Sequence, residues 1–393
     1  MSPSLIANSH GLFLASETGI SDLNSKNSRA SKTEDASSYA TSTPNNKQQQ
    51  NNEYKLQIVW RNVLIFVLLH AICVYGFALV FTGFYNWKTL VFTYIYTVFG
   101  GFGITAGAHR LWAHRTYKAN LPLRIFLMFA QCAALQNDIH EWVRDHRVHH
   151  KFTDTNADPH NASRGFFFSH VGWLLCKKHK DVMVKGKTVD MSDVLADPVV
   201  RFQMRHYIPL VIVWNILIPT WIPWYFFGEE FMYSFVICMA RYTLSLNGTW
   251  LVNSAAHIWG MKPYDSTIKP TESLSVSIIA FGEGWHNYHH IFPWDYKAAE
   301  LGNYRVNFTT AFLDLMARIG WATELKTASE DMIKKRVLRT GDGTWYGLSQ
   351  LKNNADDKGH HHHDHGDMLW GWGDTDMGQN DVKEILKFNR IKG

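Results

Sequence analysis

The sequence predicts an all-α integral membrane protein in which four transmembrane helices are capped by a helical domain on one side of the bilayer. Three observations predict it. Four apolar runs are long enough, or nearly so, to cross a hydrocarbon core of about 30 Å. They pair through very short connections, and nearly all Lys and Arg lie outside those connections. The chain also carries 21 histidines in 393 residues, nine of them in short clusters just beyond the runs.

Composition narrows the class. With 46% hydrophobic, 14% aromatic and 19% charged residues, most of the chain is unsuited to disorder. A mean hydropathy of −0.19 hides strong segregation between apolar and polar stretches. Cys73, Cys132, Cys176 and Cys238 stand far apart, which excludes a disulfide scaffold and a thiolate metal site. The net charge of +5 is spread among apolar runs and leaves no nucleic-acid footprint.

Taken in order, residues 1–55 are rich in Ser, Asn, Thr and Gln and are expected to be disordered, since they bury too little apolar surface to offset ordering entropy. No basic n-region leads into an apolar stretch there, so no cleavable signal peptide is expected. Residues 56–343 form the membrane domain, with spans at about 62–82, 89–105, 207–228 and 231–252. The second ends in Gly100, Gly101 and Gly103; the third holds Pro209, Pro219 and Pro223 and should be kinked. The fourth contains Arg241, Asn247 and Thr249, whose cost in lipid predicts a face turned to a protein-lined cavity. Buried soluble helices are the alternative, but four runs joined by tight connections favour spans. The tail, 344–393, is Gly-, Asp- and His-rich and is expected to be flexible. Because basic residues gather before the first span, between the second and third, and after the fourth, both termini and the large middle segment are placed in the cytosol.

The histidines carry the chemistry. His109 and His114 follow the second span; His146, His149 and His150 form one His-x-x-His-His triplet, and His286, His289 and His290 a second. Asn253 and His257 close the fourth span. On a helix, positions i, i+3 and i+4 share a face, so each triplet presents three imidazoles, enough for one metal and a bridge to its neighbour. His109 and His114 fall about 140° apart on a regular helix, so they serve two different metals or sit where the helix ends. Nine imidazoles exceed what one ion accepts, which implies two. A zinc hydrolase keeps three ligands and an open position, and carboxylate-bridged di-iron bundles need Glu-x-x-His motifs absent from these clusters. An all-nitrogen di-iron site fits better.

From about Trp60 to Gly343 the chain resembles the integral-membrane acyl-CoA desaturases, the stearoyl-CoA desaturase family, in an insect-type form. The resemblance rests on the histidine boxes and their flanks: Gly103 to Ala108, Gln136-Asn137-Asp138, Ala157 to Asn161, Gly165 to Trp173, Gly282-Glu283-Gly284-Trp285 and Arg339 to Gly343. Phe292 to Tyr296 and Trp370-Gly371-Trp372-Gly373 match the insect members. The resemblance implies two Fe(2+) ions held by His109, His114, His146, His149, His150, His257, His286, His289 and His290, with Asn253 acting through water. It implies substrate contacts at Asn62, Asn137, Arg144, Asp145, Lys177, Lys178 and Trp250, and a tunnel bend at Gln136, Trp142, Thr249 and Trp250. Independently, Arg144, Lys177 and Lys178 supply cations suited to the phosphates of CoA; an ordinary solvated charge run is the plainer reading of the two lysines.

The implied reaction converts a saturated acyl-CoA and O2 into a cis-unsaturated product and two waters, in the endoplasmic reticulum membrane. Its two electrons come from cytochrome b5 and NADH-cytochrome b5 reductase, as no cytochrome b5-like His-Pro-Gly-Gly stretch is fused to the chain. Palmitoyl- or stearoyl-CoA with the bond at Δ9 is the expected outcome, since Ile268-Lys269-Pro270-Thr271-Glu272 resembles the Δ9 group. Thr93 and Thr97 are expected near the tunnel's closed end. Another regiochemistry, such as Δ11, and an acyl hydroxylase are the nearest alternatives. A metal transporter, suggested by the run His360 to His365, would hold its histidines inside spans, and here the boxes lie outside them. That tail run is read as low-complexity sequence. The sequons at Asn161, Asn247 and Asn307 are expected to stay unglycosylated, as the topology puts none in the lumen.

Overall fold

The structure, a computed structural model, describes residues 56–349 and 368–389. The N-terminal segment 1–55 and the run His360 to His365 lie outside the described residues.

The chain is overwhelmingly helical. α1 (Trp60–Phe81) and α2 (Trp87–Phe102) form the first hairpin, and Asn86 caps α2 by accepting the Lys88 N–H at 3.0 Å. α2 runs on without a break into a π-helical segment, Gly103–Ala113. After a short strand β1 (Lys118–Ala119) come α3 (Leu121–Ala134) and α4 (Ile139–Lys151). Asp138 starts α4 by accepting the Glu141 N–H at 2.8 Å, while its last turn is basic, complementing the helix dipole at both ends. Short helices α5 (Phe166–His170), α6 (Lys180–Gly186) and α7 (Ser192–Ala196) lead to α8 (Pro198–Val211). A second π segment, Ile212–Leu217, joins α8 to α9 (Ile218–Phe227), and α10 (Phe231–Asn253) returns. Then follow α11 (Ala255–Ile258), α12 (Leu274–Ile279), α13 (His286–Ile291), α14 (Phe308–Arg318), strands β2 (Ala322–Thr323) and β3 (Leu325–Thr327), and α15 (Glu330–Thr340). A last helix, Gln379–Glu384, precedes β4 (Leu386–Phe388). β1 pairs with β2 and β3 with β4, both antiparallel.

Among the described residues, three helices have the length and composition to cross a membrane: Trp60–Phe81, Trp87–Ala113 and Pro198–Phe227. They overrun the hydropathy-based limits because hydrogen bonding continues past the first polar residues. The second helix has 27 residues where about 20 suffice, and His109 rides on the surplus. The third carries its distortion at His206, with φ −114° and ψ 21°, just before Pro209, as the proline content leads one to expect. α10 has 23 residues but is less apolar than these three. Arg241, Asn247 and Thr249 on it line an internal cavity, and the helix is enclosed by its neighbours while α1 leaves Leu64, Val67, Leu68 and Val74 exposed. The two short interhelical loops meet: the Asn86 N–H and the Thr89 hydroxyl donate to Glu229 Oε1 at 2.7 and 2.8 Å. Both hairpins therefore turn at the same end of the bundle.

The main core joins α3, α4, α8 and α10 through Leu123, Leu127, Ile139, Val143, Val200 and Leu246. A second core under α13 and α15 is built on Tyr288, Phe292, Trp294, Ile333 and Val337. The four cysteines are free and buried. The expected loose tail departs from the sequence reading over 368–389, where Trp370 and Ile385 are buried and β4 extends β3. All three sequon asparagines are engaged: Asn161 caps a turn, Asn307 caps α14, and Asn247 is bonded within α10 and to His170.

Candidate metal centre

The nine box histidines converge. One group holds His109, His114, His146, His150 and His289; the other holds His149, His257, His286 and His290, with ligand atoms inside each group within 4.8 Å of one another. Each triplet is divided as helical spacing allows: His146 and His150, one turn apart on α4, face one group and His149 the other, while on α13 His289 parts from His286 and His290. The stacked rings of His150 and His290, 4.2 Å apart, join the groups.

His109 and His114 share a group, so the second of the two expected arrangements holds. The segment between them is π-helical, and the His114 N–H donates to the His109 carbonyl at 3.1 Å, an i to i+5 bond that turns residues five apart to one side. Glycine permits the close packing of this segment: a Cβ on Gly103 would stand 2.1 Å from the backbone nitrogen of Gln131.

Outer partners fix the rings. His149 Nδ1 lies 2.9 Å from Asp158 Oδ2, His257 Nδ1 3.1 Å from Asp154 Oδ2, and His109 Nδ1 2.9 Å from Glu283 Oε2. Glu283 is itself paired to the fully buried Arg110 at 2.9 Å. His114 Nδ1–H donates to the Trp370 carbonyl. With Nδ1 directed outward, Nε2 presents its lone pair inward, the orientation a metal needs. Burial, reinforced by neighbouring imidazoles, holds His114, His146, His150, His286, His289 and His290 well below the usual imidazole range, so they are neutral. For His149, burial pulls downward but the Asp158 carboxylate outweighs it and raises the group. Asp158, which burial alone would raise, is held well below the carboxylate range by His149.

The spacing suits metal ions. Nε2 atoms of His109 and His289 are 2.9 Å apart, His114 and His146 2.8 Å, and His150 and His289 3.1 Å. In the second group His257 and His286 are 3.0 Å apart and His286 and His290 3.1 Å. Nitrogens about 2.1 Å from one ion and at right angles would be about 3.0 Å apart. Converging neutral lone pairs would otherwise repel. Each group contains imidazoles only.

Beside the histidines lies a mostly apolar cavity of ≈ 910 Å³, at the upper end of small-molecule sites. Thr93 and Thr97 line it from α2. A smaller cavity of ≈ 70 Å³ is lined by Gln136, Asn137, Asp145, Trp250 and Asn253 among others, and Trp142, His146, Thr249 and Asn253 line both. At this junction Gln136 Nε2–H donates to Thr249 Oγ1 at 2.9 Å and Trp142 stacks on His146. The expected bend residues are thus adjacent. Asn62, Arg144, Lys177 and Lys178 line neither cavity. Asn62 is buried and donates to the Leu174 carbonyl at 2.8 Å. Arg144 and Lys178 both pair with Asp145, at 2.8 and 2.5 Å, and Lys177 is exposed.

Comparison with known proteins decides the lineage. Residues 85–303 match the family described as fatty acid desaturase. The chain is 56% identical to the acyl-CoA Delta-9 desaturase of Acheta domesticus over 330 residues, 84% of this chain and 86% of the relative. The chain belongs to the fatty acid desaturase family. It is also 50% identical to the acyl-CoA Delta-12 desaturase of Tribolium castaneum over 363 residues (90% and 99%) and 52% identical to the acyl-CoA Delta(11) desaturase of Spodoptera littoralis over 308 residues (78% and 91%). The desaturase is therefore an oxidoreductase of the acyl-CoA desaturase class, a membrane protein with a histidine-built metal centre and an acyl-CoA substrate.

The sequence alone does not mark Asp154 and Arg110 as orienting groups, and it shows Asp158, Glu283 and Trp370 only within motifs. The findable signal was chemical: a ligating histidine passes its other N–H to a carboxylate or carbonyl, and Asp154, Asp158 and Glu283 stand within eight residues of a box. The Lys-Pro-x-Glu segment lines neither cavity. Instead Glu272 accepts the Tyr288 N–H at 2.8 Å on α13, and the Thr271 hydroxyl donates to the carbonyls of Ala256 and Trp259 on either side of His257, so the segment braces the four-histidine group.

Proposed function

We propose that this desaturase inserts a cis double bond at Δ9 of palmitoyl- or stearoyl-CoA. In this reading the nine histidines hold two iron ions, Asn253 adds a water-mediated contact, and four spans place the centre and both termini on the cytosolic side of the endoplasmic reticulum. The carrying observation is the pair of imidazole groups with inward-facing Nε2 atoms at the wall of a 910 Å³ apolar cavity.

Iron, when bound, supplies the reduction of O2 and the removal of hydrogen from unactivated methylenes. In net terms two adjacent CH2 groups give up two hydrogens, which join O2 with two electrons and two protons to form two waters. The electrons are assigned to cytochrome b5 and its NADH-dependent reductase. The protein's own part is positional. Trp142, Gln136 and Thr249 turn the acyl chain so that two chosen carbons lie under the histidines. Apolar walls exclude water from the cavity, and Thr93 and Thr97 face its distal part. Asn137, Asp145 and Trp250 line the smaller cavity, assigned to the thioester end of the substrate, and Asn62 bonds to Leu174, which also lines it. Arg144, Lys177 and Lys178 offer charge to the CoA phosphates, the first and last sharing theirs with Asp145.

Expression in a yeast lacking its own Δ9 desaturase, followed by mapping of double bonds in its lipids, tests the reading. Rescue with Δ9 palmitoleate and oleate is expected. Products at Δ11 or Δ12, the positions in the names of comparably similar relatives, would overturn the regiochemistry alone. Hydroxylated chains would overturn the reaction.

A further inference from the structure

The C-terminal segment 368–389, which lies beyond the residues 85–303 matched by the family model, reaches the metal centre. Trp370 is 3% exposed, and its carbonyl accepts from Nδ1 of His114, which is fully buried. A carbonyl can only accept, so Nδ1 carries the ring's proton and the Nε2 lone pair is left for the five-histidine group. The contact is reinforced around it. The Trp372 N–H donates to the His114 carbonyl at 2.9 Å, and the Trp370 N–H donates to Asp374 at 2.9 Å. Asp374 pairs at 2.9 Å with Lys151, the residue after His150. Over the Trp370 ring lie the guanidiniums of Arg147 and Arg115, 4.0 and 4.8 Å from its centroid, and both are tied to Asp193. Arg147 stands between His146 and Val148 in the second box and donates to the carbonyls of Trp112 and Ala113.

Gly371 makes this approach possible. Its φ is +155°, and a Cβ there would lie 2.6 Å from the His114 oxygen. Pairing of β3 with β4 secures the far end of the segment.

We infer that Trp370 and Gly371 are positioning residues of the five-histidine group: the docked tail sets the tautomer and ring orientation of His114, and ion retention at that group depends on it. The inference rests on the proposal that each histidine group holds an ion.

The test uses the full chain loaded with 57Fe, compared with Trp370→Ala, Gly371→Ala and a chain ending at residue 352. Iron content, release to a ferrous chelator and Mössbauer spectra are recorded, with His114→Ala and His257→Ala as references for the two sites. The wild type should hold two ions, and the tail variants should release one of them about 10- to 100-fold faster. The signal lost should be the one absent from His114→Ala and kept in His257→Ala. A peptide of residues 368–389 should restore it to the shortened chain. If that chain does not fold, Gly371→Ala, which adds one methyl group, decides. Wild type with fewer than two ions would overturn the metal reading and this inference together. Two ions released at unchanged rates from the point variants would overturn the inference alone, as would parallel loss of both signals, the mark of general unfolding.

Discussion

The two histidine groups are built differently. In the four-histidine group the orienting partners are carboxylates from one loop, Asp154 on His257 and Asp158 on His149, within eight residues of the box that precedes them. In the five-histidine group His109 leans on Glu283 and Arg110, while His114 leans on a backbone carbonyl 256 residues away. One group draws both of its orienting carboxylates from a single loop; the other draws a carboxylate from beside the third box and a backbone carbonyl from the C-terminal segment 368–389. A local carboxylate strengthens a ligand wherever the fold is intact, whereas a remote carbonyl makes ligation conditional on docking.

The largest expected effect treats the groups alike. His149→Ala and His289→Ala, one from each group, should abolish double-bond formation in the yeast assay while membrane extraction shows normal insertion; retained products in either would remove that residue from the centre. Next, Glu283→Ala should separate the groups by stability. It leaves the Arg110 guanidinium buried without its partner, costing about 3–5 kcal/mol, read as a lower thermal unfolding midpoint. Asp158→Asn should instead weaken metal retention about 10- to 100-fold at the four-histidine group only, and equal loss at both sites in chelator competition would erase the distinction.

A smaller effect concerns Glu272, whose carboxyl burial pushes up to about 8. Because the folded chain holds this proton more tightly than the unfolded one, stability should decline as pH rises from about 4.5 to about 8. Glu272→Gln keeps an acceptor for the Tyr288 N–H and should flatten that decline in melting curves taken across the range. Smallest of all, serine replacements at His360 to His365 should leave iron content and turnover unchanged, and a loss of one ion would bring that run into the centre.

Much of this was legible in the sequence, for identifiable reasons. Of the four spans expected from apolar run length, three coincide with helices that are apolar and long enough to cross a membrane, while the fourth forms α10, whose polar residues leave it less apolar. The i, i+3, i+4 spacing implied that each triplet would serve two ions, and α4 and α13 divide theirs in that way. Polar residues within the fourth run pointed to a cavity that Arg241, Asn247 and Thr249 do line. What stayed hidden was long-range or non-standard. Regular helical geometry sets His109 and His114 far apart, and only i to i+5 winding through a glycine-rich stretch brings them together. Composition marked the tail as loose because its anchors within 368–389 are few: Trp370, Gly371, Trp372 and buried Asp374 at one end, Ile385 and the β4 pairing at the other.

The most direct measurement is the iron content of the purified chain beside one single-histidine variant from each group, followed by Mössbauer spectroscopy. Two irons per chain in two distinct nitrogen-rich environments, with His114→Ala and His257→Ala each losing a different one, is the predicted result. A single ion, or a different metal at full occupancy, would contradict it.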